Sequence, residues 1–284
     1  MARLQYPNPP ESPVPAGDKS SASVNMSRWE RWTLWGELVR NLAVRDVETR
    51  YKHSMLGLYW AIINPLVSAG IYGFVFGLIF HASSKPIPYV VFLLTNLTFW
   101  NLFANGVMSA TGSISGNAAL LAKIYFPRVV LPTASVLARL IDFLFSALVL
   151  LIFIAIYRVP VHWQLIALPA VLLIQLAFTL GIAYLVAALN VLYRDVSQLI
   201  GLILMIWIYL SPVMYRVSSV PAKLRMFLLI NPMGAVLEAE RNLLFLGHLH
   251  HPHYLDLAAV TALVTLLIGW WVFHRIEPLF AEVM

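Results

Sequence analysis

The stretch RDVETRYKHSMLGLYWAIINPL, residues 45–66, leads from a basic segment directly into a long apolar one. Arg45, Arg50 and Lys52 precede a run, residues 55–80, that contains no charged side chain. A helix needs about 20 apolar residues to cross a bilayer, and flanking Lys and Arg mark its cytoplasmic side. The stretch therefore predicts a membrane protein whose N-terminal segment is cytoplasmic.

The composition of the whole chain supports a membrane location. Hydrophobic residues make up 60% of the sequence and charged residues 11%, whereas soluble domains carry roughly 25% charged residues. The absence of cysteine excludes disulfides and thiolate metal sites. The net charge of +6 comes from basic residues near the ends of apolar runs, which fits membrane lipids with anionic head groups as partners and argues against nucleic acid.

The N-terminal region divides into two parts. Residues 1–27 are rich in Pro, Ser and Ala and lack the apolar core of a signal peptide, so we interpret them as a disordered cytoplasmic tail. Residues 28–56 predict an amphipathic interfacial helix whose apolar half contains Trp29, Trp32, Trp35, Leu38, Val39 and Leu42. This pattern is compatible with a membrane anchor alone and with a docking surface for a cytoplasmic partner.

Residues 57–284 predict an all-α transmembrane domain with six spans. The apolar runs lie at about 58–80, 88–108, 129–157, 164–190, 199–215 and 257–274. Lys and Arg are concentrated in the short loops on the side of the N-terminus, which predicts a multi-pass protein with both termini in the cytoplasm. We expect Ser211-Pro212 to kink or end the fifth span.

The segment between the fifth and sixth spans, residues 216–256, is too apolar for a free loop and too interrupted for a span. Asn231-Pro232 and Gly247 divide it. A pair of short re-entrant helices on the outer side fits this pattern, because such backbone is tolerated where it packs on protein or lines a wet cavity. Two helices lying flat on the outer surface are the alternative.

Several motifs resemble one family. They begin with RYKHSMLGLYWAIINPL (50–66) and include LLAKIYFPRVVLP (120–132), LNVLYRDVSQLIG (189–201), YLSPVMY (209–215), NPMGAVLEAERNLLF (231–245) and FHRIEPLFAEVM (273–284). In this order they resemble permease subunits of type-2 class ATP-binding-cassette exporters. The most similar branch exports lipid-linked polysaccharides such as O-antigens, capsules and teichoic acids. The resemblance covers about residues 40–284.

The resemblance implies a permease homodimer in the bacterial cytoplasmic (inner) membrane, with one continuous channel between its two copies. It also implies two copies of a separate ATPase subunit, with lipid-linked polysaccharide as the substrate. The sequence contains no G-x-x-x-x-G-K-[ST] phosphate loop. We therefore expect a transport subunit that is not itself an enzyme and holds no cofactor, with ATP and magnesium bound by the partner.

Aromatic residues are candidates for a sugar-conducting wall, because sugars offer flat C–H faces that stack on rings. Tyr72, Phe76 and Phe80 follow an i, i+4, i+8 spacing and form one stripe on the first span. The other candidates are Tyr59, Trp60, Trp100 and Trp207. Helix packing and an interfacial aromatic belt are the alternative roles for all of them.

Charged residues inside or beside the spans are candidates for an intramembrane ion pair and for a contact with a lipid head group. Arg139 and Asp142 have i, i+3 spacing within the third run, so we expect them to form an intramembrane pair. The pair could line the channel or a dimer contact, and an internal pair near the cytoplasmic interface is the alternative. By resemblance, Lys123 and Arg128 lie near the channel entrance, where a pyrophosphate-lipid head group would meet them. Positive-inside anchoring is the alternative for both residues.

Coupling to the ATPase needs a rigid charged surface on the cytoplasmic side. Glu48, Arg50, Arg194 and Asp195 are the candidates, and ordinary solvated helix ends are the alternative. The histidines of residues 248–253 lack the spacing of a helical ligand pair, so we predict a polar outer turn and no metal site.

Two other functions remain open from the sequence. One is an exporter of small lipophilic molecules or lipids from the same superfamily. The other, of a different class, is a membrane-embedded glycosyl- or acyltransferase, which needs clustered acid–base residues. The carboxylates Asp142, Asp195, Glu238 and Glu240 are too scattered in the sequence to indicate such a site.

Overall fold

The computed structural model describes residues 28–52, 57–79, 87–121, 126–249 and 251–280. All regular structure within these ranges is helical, which confirms the all-α prediction for them. The α-helices are α1 (Arg28–Tyr51), α2 (Trp60–Tyr72), α3 (Tyr89–Thr111), α4 (Ala118–Leu121), α5 (Val130–Ile156), α6 (Leu168–Leu192), α7 (Val196–Leu210), α8 (Ala222–Ile230), α9 (Pro232–Phe245) and α10 (Pro252–Ile276). A π-helix, Gly73–Ile79, continues α2.

The long helices follow the predicted apolar runs. Four are long and apolar enough to cross a membrane, namely Tyr89–Thr111, Val130–Ile156, Trp163–Leu192 and Pro252–Leu279. Two apolar helices, Trp60–Val75 and Val196–Leu210, are shorter. The fifth run ends five residues before its predicted limit because the backbone is extended at Ser211, just before Pro212.

Helix α3 forms the centre of the bundle. In the most apolar 18 residues of α3, 78% of the residues are buried. The corresponding shares for the helices α5, α6 and α10 are 28%, 28% and 17%. The outer helices therefore expose many apolar side chains, including Leu144, Leu148, Leu151, Leu202, Met205, Ile206, Leu263 and Leu267. Exposed apolar surface of this extent fits a lipid environment or contact with other chains.

Helices α6 and α10 cross at very close range. A Cβ added at Gly181 on α6 would lie 2.6 Å from the backbone nitrogen of Leu266, and one at Gly269 would lie 2.2 Å from the Gly181 carbonyl oxygen. Small residues at a crossing allow two backbones to approach and to gain van der Waals contact. These two glycines therefore set the spacing between the helices.

Helices α8 and α9 occupy the region predicted as a punctuated segment. Asn231 ends α8 and caps α9, because its side-chain oxygen accepts from the Met233 amide at 3.2 Å. Pro232 occupies the first turn of α9, where its missing N–H is not needed. Gly247 follows α9 with φ +69°, a left-handed conformation that favours glycine.

Helix α1 lies along the N-terminal half of α5. Leu42 is 7% exposed and belongs to a cluster with Phe126, Val130, Leu131 and Ala134. Leu38, Val39 and Ala43 pack around this cluster. The side chains of Trp29 and Trp32, and residues 1–27 as a whole, lie outside the described residues.

Different helices and contacts lie at the two ends of the bundle. The C-terminal ends of α1, α3, α6 and α10 meet at one end, where Arg45 donates to Asn117 at 2.5 Å and Phe273 contacts Phe280. Helices α8 and α9 lie near the start of α3 at the other end, where Arg241 stacks over Phe92. Phe92 and Ser109 are separated by about 25 Å along α3 at 1.5 Å per residue.

Candidate functional site

One carboxylate joins the end of α1 to the middle of α5. Asp142 accepts from Arg50 Nη1 at 2.6 Å and from the Tyr51 hydroxyl at 2.5 Å. Arg139, one turn before Asp142, donates at 3.1 Å to the same Oδ2 atom as Arg50. Hydrogen bonds between ionised partners are about twice as strong as neutral ones. We call these four residues the Asp142 cluster, and they hold α1 against α5.

The charges around this cluster are balanced. Arg50 also pairs with Asp46 on its own helix at 3.2 Å. Arg139 Nε donates to Ser109 Oγ on α3 at 2.6 Å, which ties a third helix to the cluster. The side chains of Arg50, Arg139 and Asp142 are 22%, 23% and 21% exposed. Because they are mostly shielded from water, removing one charge leaves its partner poorly solvated.

Tyr51 remains a hydrogen-bond donor at physiological pH. Burial, followed by the hydrogen bond to Asp142 and the negative charge of Asp142, raises the pKa of the Tyr51 hydroxyl from 10.0 to about 12. The positive charges of Arg50 and Arg139 oppose this rise without cancelling it. The phenol therefore stays neutral and keeps its proton for Asp142.

A polar cavity of about 370 Å³ opens beside the Asp142 cluster. Besides the cluster itself it is lined by α2, α3 and α5, through Trp60, Ala61, Asn64, Pro65, Thr98, Asn101, Leu102, Asn105, Phe143 and Ser146. Asn101 and Asn105 are four residues apart and share one face of α3 with Thr98. The Thr98 hydroxyl is buried and has no hydrogen-bond partner among the described residues.

The lining of this cavity matches the chemistry of a hydroxyl-rich ligand. Each asparagine amide offers two donors and an accepting oxygen, and Asn64, Asn101 and Asn105 bring three amides to one space. The Trp60 indole adds a flat apolar face and is 43% exposed. Amides combined with an aromatic ring can hydrogen-bond sugar hydroxyls and stack on sugar C–H faces.

The sequence interpretation did not single out these asparagines. A signal was present, because polar side chains inside apolar runs are costly unless they face a wet space or a partner. Asn64, Asn101 and Asn105 each interrupt such a run. Asn96 interrupts the same run as Asn101 but is buried, with its amide donating to the Val213 carbonyl at 2.8 Å. Sequence position alone therefore does not tell an asparagine that lines the cavity from one that bonds to backbone in the core.

The structure separates the aromatic residues that were predicted to line a channel. Trp60 lies at the cavity, and its neighbour Tyr59 is 69% exposed. Trp100 is 3% exposed and packs edge-on against Phe103, with ring centroids 5.5 Å apart. Trp207 also packs edge-on against Phe103, at 5.2 Å. Trp60 is thus the only one of these tryptophans that lines the polar cavity.

The remaining aromatic candidates have different surroundings. The Trp207 indole N–H donates to Asn231 Oδ1 at 3.2 Å, which links α7 to the cap of α9. Tyr72 is partly buried and packs against the main core. The side chain of Phe76 and the whole of Phe80 lie outside the described residues. A channel role for this stripe stays a prediction.

Arg128, predicted to meet a lipid head group, binds the C-terminal segment. Its backbone N–H donates to Glu277 Oε1 at 3.2 Å, and its Nη1 donates to the Glu277 carbonyl at 2.6 Å. The guanidinium also lies over the Phe280 ring, 5.7 Å from the centroid. Lys123, the other candidate for this role, lies outside the described residues.

The residues predicted to couple to an ATPase lie at the same end of the bundle. Glu48 is exposed near the end of α1, and Arg194 and Asp195 are exposed in the turn between α6 and α7. Arg50 instead points to Asp142, as described above. The first three side chains are accessible to a partner, whereas Arg50 acts within the chain.

The histidine rings near the start of α10 pack against one another and against a tyrosine. The rings of His251 and His253 are 5.9 Å apart, and His253 is 4.5 Å from Tyr254. The described part of the chain contains no group of three or more His, Cys, Asp or Glu side chains suited to a metal ion. His250 lies outside that part.

Comparison with known proteins identifies related sequences. A family model described as "ABC-2 type transporter" matches residues 37–245. The O-antigen export system permease protein RfbA of Klebsiella pneumoniae is 30% identical over 242 residues, covering 84% of this chain and 92% of its own. RfbA of Myxococcus xanthus is 29% identical, covering 86% and 94%. The polysialic acid transport protein KpsM of Escherichia coli is 26% identical, covering 81% and 90%.

Proposed function

The chain belongs to the ABC-2 type transporter family, and on this basis we propose that it is the membrane permease subunit of a bacterial exporter for O-antigen or a related cell-surface polysaccharide. The observation that carries the proposal is the near full-length similarity to O-antigen export permeases, which extends over 92% and 94% of the two RfbA relatives. The similarity to a polysialic acid transport protein and to a capsule polysaccharide export protein broadens the substrate class to polysialic acid and capsule polysaccharides.

The polar cavity supports a path for carbohydrate. Its three asparagines and Trp60 supply hydrogen-bonding groups and a stacking surface among the apolar helices. A sliding polymer needs contacts that are attractive but tolerant of position, and amides and rings meet this need. We place the cavity face of α2, α3 and α5 on the wall of a channel that a second copy of the chain completes.

The arrangement in the membrane follows from charge and length. We propose six spans, formed by the four long helices and the two shorter apolar ones, with the end that carries the Asp142 cluster in the cytoplasm. Exposed cations at this end include Arg40, Arg45, Lys52, Arg194 and Arg275, which agrees with the positive-inside rule. Helices α8 and α9 then form a re-entrant pair on the outer side, and α1 lies at the cytoplasmic interface.

Energy for export has to come from a second protein. The sequence has no phosphate loop of the G-x-x-x-x-G-K-[ST] type, so we assign ATP and magnesium to a separate ATPase subunit present in two copies. Glu48 and the Arg194–Asp195 turn are accessible at the proposed cytoplasmic end. We place the ATPase contact there, with the Asp142 cluster transmitting movement of α1 to α5.

A gene deletion in the source bacterium tests the proposal. We expect the surface polysaccharide to disappear and its lipid-linked precursor to accumulate on the cytoplasmic side. A plasmid copy of this chain restores export only when the partner ATPase is active. A matched control replaces the phosphate-loop lysine of the ATPase and gives the same phenotype with the permease present. Normal surface polysaccharide in the deletion strain contradicts the proposal.

A further inference from the structure

A second cavity, of about 230 Å³, lies at the opposite end of α3 from the Asp142 cluster. Among the described residues that line it, the charged ones are Arg216, Arg225 and Arg241, with Glu238 as the only carboxylate. Ile87 and Phe92 close it on the side of α3. We call it the Arg241 cavity. Guanidiniums thus outnumber carboxylates three to one among the described lining residues.

Arg241 is a buried and oriented part of this cavity. Its side chain is 6% exposed, and its Nη2 pairs with Glu238 one turn earlier on α9. The guanidinium lies over the Phe92 ring, 5.1 Å from the centroid. Its Nη1 atom is buried and has no hydrogen-bond partner among the described residues. A buried guanidinium with unused N–H donors is costly unless a ligand accepts from them.

Arg225 is held at the same cavity by the backbone. Its Nε donates to the Val220 carbonyl at 2.7 Å, and its Nη2 donates to the Ser218 carbonyl at 2.8 Å. These bonds fold the side chain back from α8 onto residues 218–220. The guanidinium is thereby positioned before any ligand arrives, which lowers the entropy lost on binding.

The single carboxylate does not neutralise the cavity. Glu238 pairs with Arg241 and lies 3.5 Å from the Asn242 amide, so its oxygens are already engaged. Guanidinium groups recognise phosphate and carboxylate oxygens through paired N–H donors. An anion with several accepting oxygens would take up the unused Arg241 donors and offset the excess charge.

We propose that the Arg241 cavity binds a phosphate-class oxyanion, supplied either by a lipid head group or by free phosphate. Access from a bilayer is available, because α8 beside the cavity exposes Leu224, Met226 and Phe227. The inference rests on the contacts of the Arg241 cavity alone and is independent of which polysaccharide the permease exports.

Native mass spectrometry of the delipidated full-length permease, purified with its ATPase, tests the site. The complex is titrated with phosphatidylglycerol, with diacylglycerol of the same acyl chains, and with inorganic phosphate. We expect retention of phosphatidylglycerol and not of diacylglycerol. Displacement of the phospholipid by inorganic phosphate identifies a site for the small anion, and no displacement identifies a lipid head-group site.

Variants locate the binding. Arg225→Gln and Arg216→Gln each remove one charge from the cavity and should weaken phosphatidylglycerol binding roughly tenfold, since a hydrogen bond to a charged group contributes on this scale. Lys223→Gln is the matched control, because it removes one exposed charge from α8 outside the cavity. The proposal is overturned if both arginine variants bind like the wild type, if Lys223→Gln loses as much, or if diacylglycerol binds equally well.

Discussion

Arg50 on α1 and Asp142 on α5 lie 92 positions apart in the sequence, yet Arg50 Nη1 donates to Asp142 Oδ2 at 2.6 Å. This bond joins the helix proposed to face the ATPase to a helix that lines the polar cavity. The side chains are about one-fifth exposed, 22% and 21%. The contact is therefore largely protected from water and can couple the two helices.

A double-mutant cycle should detect this coupling. We expect Arg50→Gln and Asp142→Asn each to lower the free energy of unfolding. The double variant should lose about 1 to 2 kcal/mol less than the sum, because removing one positive and one negative charge together leaves the cluster and Asp46 with no net charge. Denaturant titration in detergent measures the cycle. Glu48→Gln on α1 is the control, and strictly additive losses at Arg50 and Asp142 argue against a coupled pair.

Tyr51→Phe removes one donor from Asp142 and should lower the free energy of unfolding by about 1 kcal/mol at pH 7. The pKa of Tyr51 is raised to about 12 in the folded protein, against 10.0 when unfolded. The contribution of Tyr51 is therefore complete below pH 10 and is lost as the pH rises from 10 to 12. Unfolding followed against pH should show this loss in the wild type and not in Tyr51→Phe. Tyr193→Phe, at an exposed turn, serves as the control, and equal alkaline profiles would refute the assignment.

Asn101→Leu and Asn105→Leu should reduce export about tenfold, since each removes hydrogen bonds that a passing glycan would make. Neither side chain is buried, so the variants should insert and co-purify with the ATPase. Surface polysaccharide in a complemented deletion strain is the measurement. Met108→Leu changes an exposed residue of α3 outside the cavity and should export normally. Unimpaired export in both asparagine variants would remove the cavity from the path.

Gly181→Ala and Gly269→Ala should each destabilise the crossing of α6 and α10 by about 1 to 3 kcal/mol, because the new methyl meets backbone atoms that cannot rotate away. The thermal unfolding midpoint of the purified permease measures the effect. Gly201→Ala on α7 is the matched control, since a Cβ there meets no atom within 4 Å. If Gly181→Ala and Gly269→Ala both leave the unfolding midpoint unchanged, the close approach of α6 and α10 does not contribute to the stability of the protein.

Glu240→Gln should raise the free energy of unfolding by about 1 kcal/mol, because the carboxylate is buried without a hydrogen-bond partner among the described residues and a buried ionisable group costs more than a buried neutral amide. Glutamine keeps the shape of the side chain and removes its charge. Glu240→Ala should instead destabilise, since it leaves a cavity in a buried helix. Glu37→Gln, at an exposed position of α1, controls for net charge. A loss of stability in Glu240→Gln would show that the carboxylate has a necessary partner.

The helices themselves were readable from the sequence because a bilayer demands internally bonded backbone and a minimum apolar length. The third run was predicted at 129–157 and the helix is Val130–Ile156. Asn231-Pro232 marked the break between α8 and α9 because an asparagine cap followed by proline is a helix start. The membrane class, the helical fold and the family resemblance all rest on such local patterns.

The contacts that make the candidate site were not readable in the same way. Arg139 and Asp142 were paired by their i, i+3 spacing, but the third member, Arg50, is distant in the chain. Trp100 and Asn101 are adjacent, yet Trp100 packs into the core and Asn101 lines the cavity. In a helix that is apolar on every side, hydropathy does not tell which face meets a neighbour.

By itself, then, the sequence determined which apolar segments form helices, which ends carry positive charge and which family the chain resembles, because these depend on residues close together in the chain. Only the tertiary structure decided that Arg50 binds Asp142, that Arg128 binds Glu277 and that Arg241 keeps unused donors in a basic cavity. Those contacts depend on how helices rotate and pack against segments far away in sequence, and the packing of the whole bundle sets that rotation.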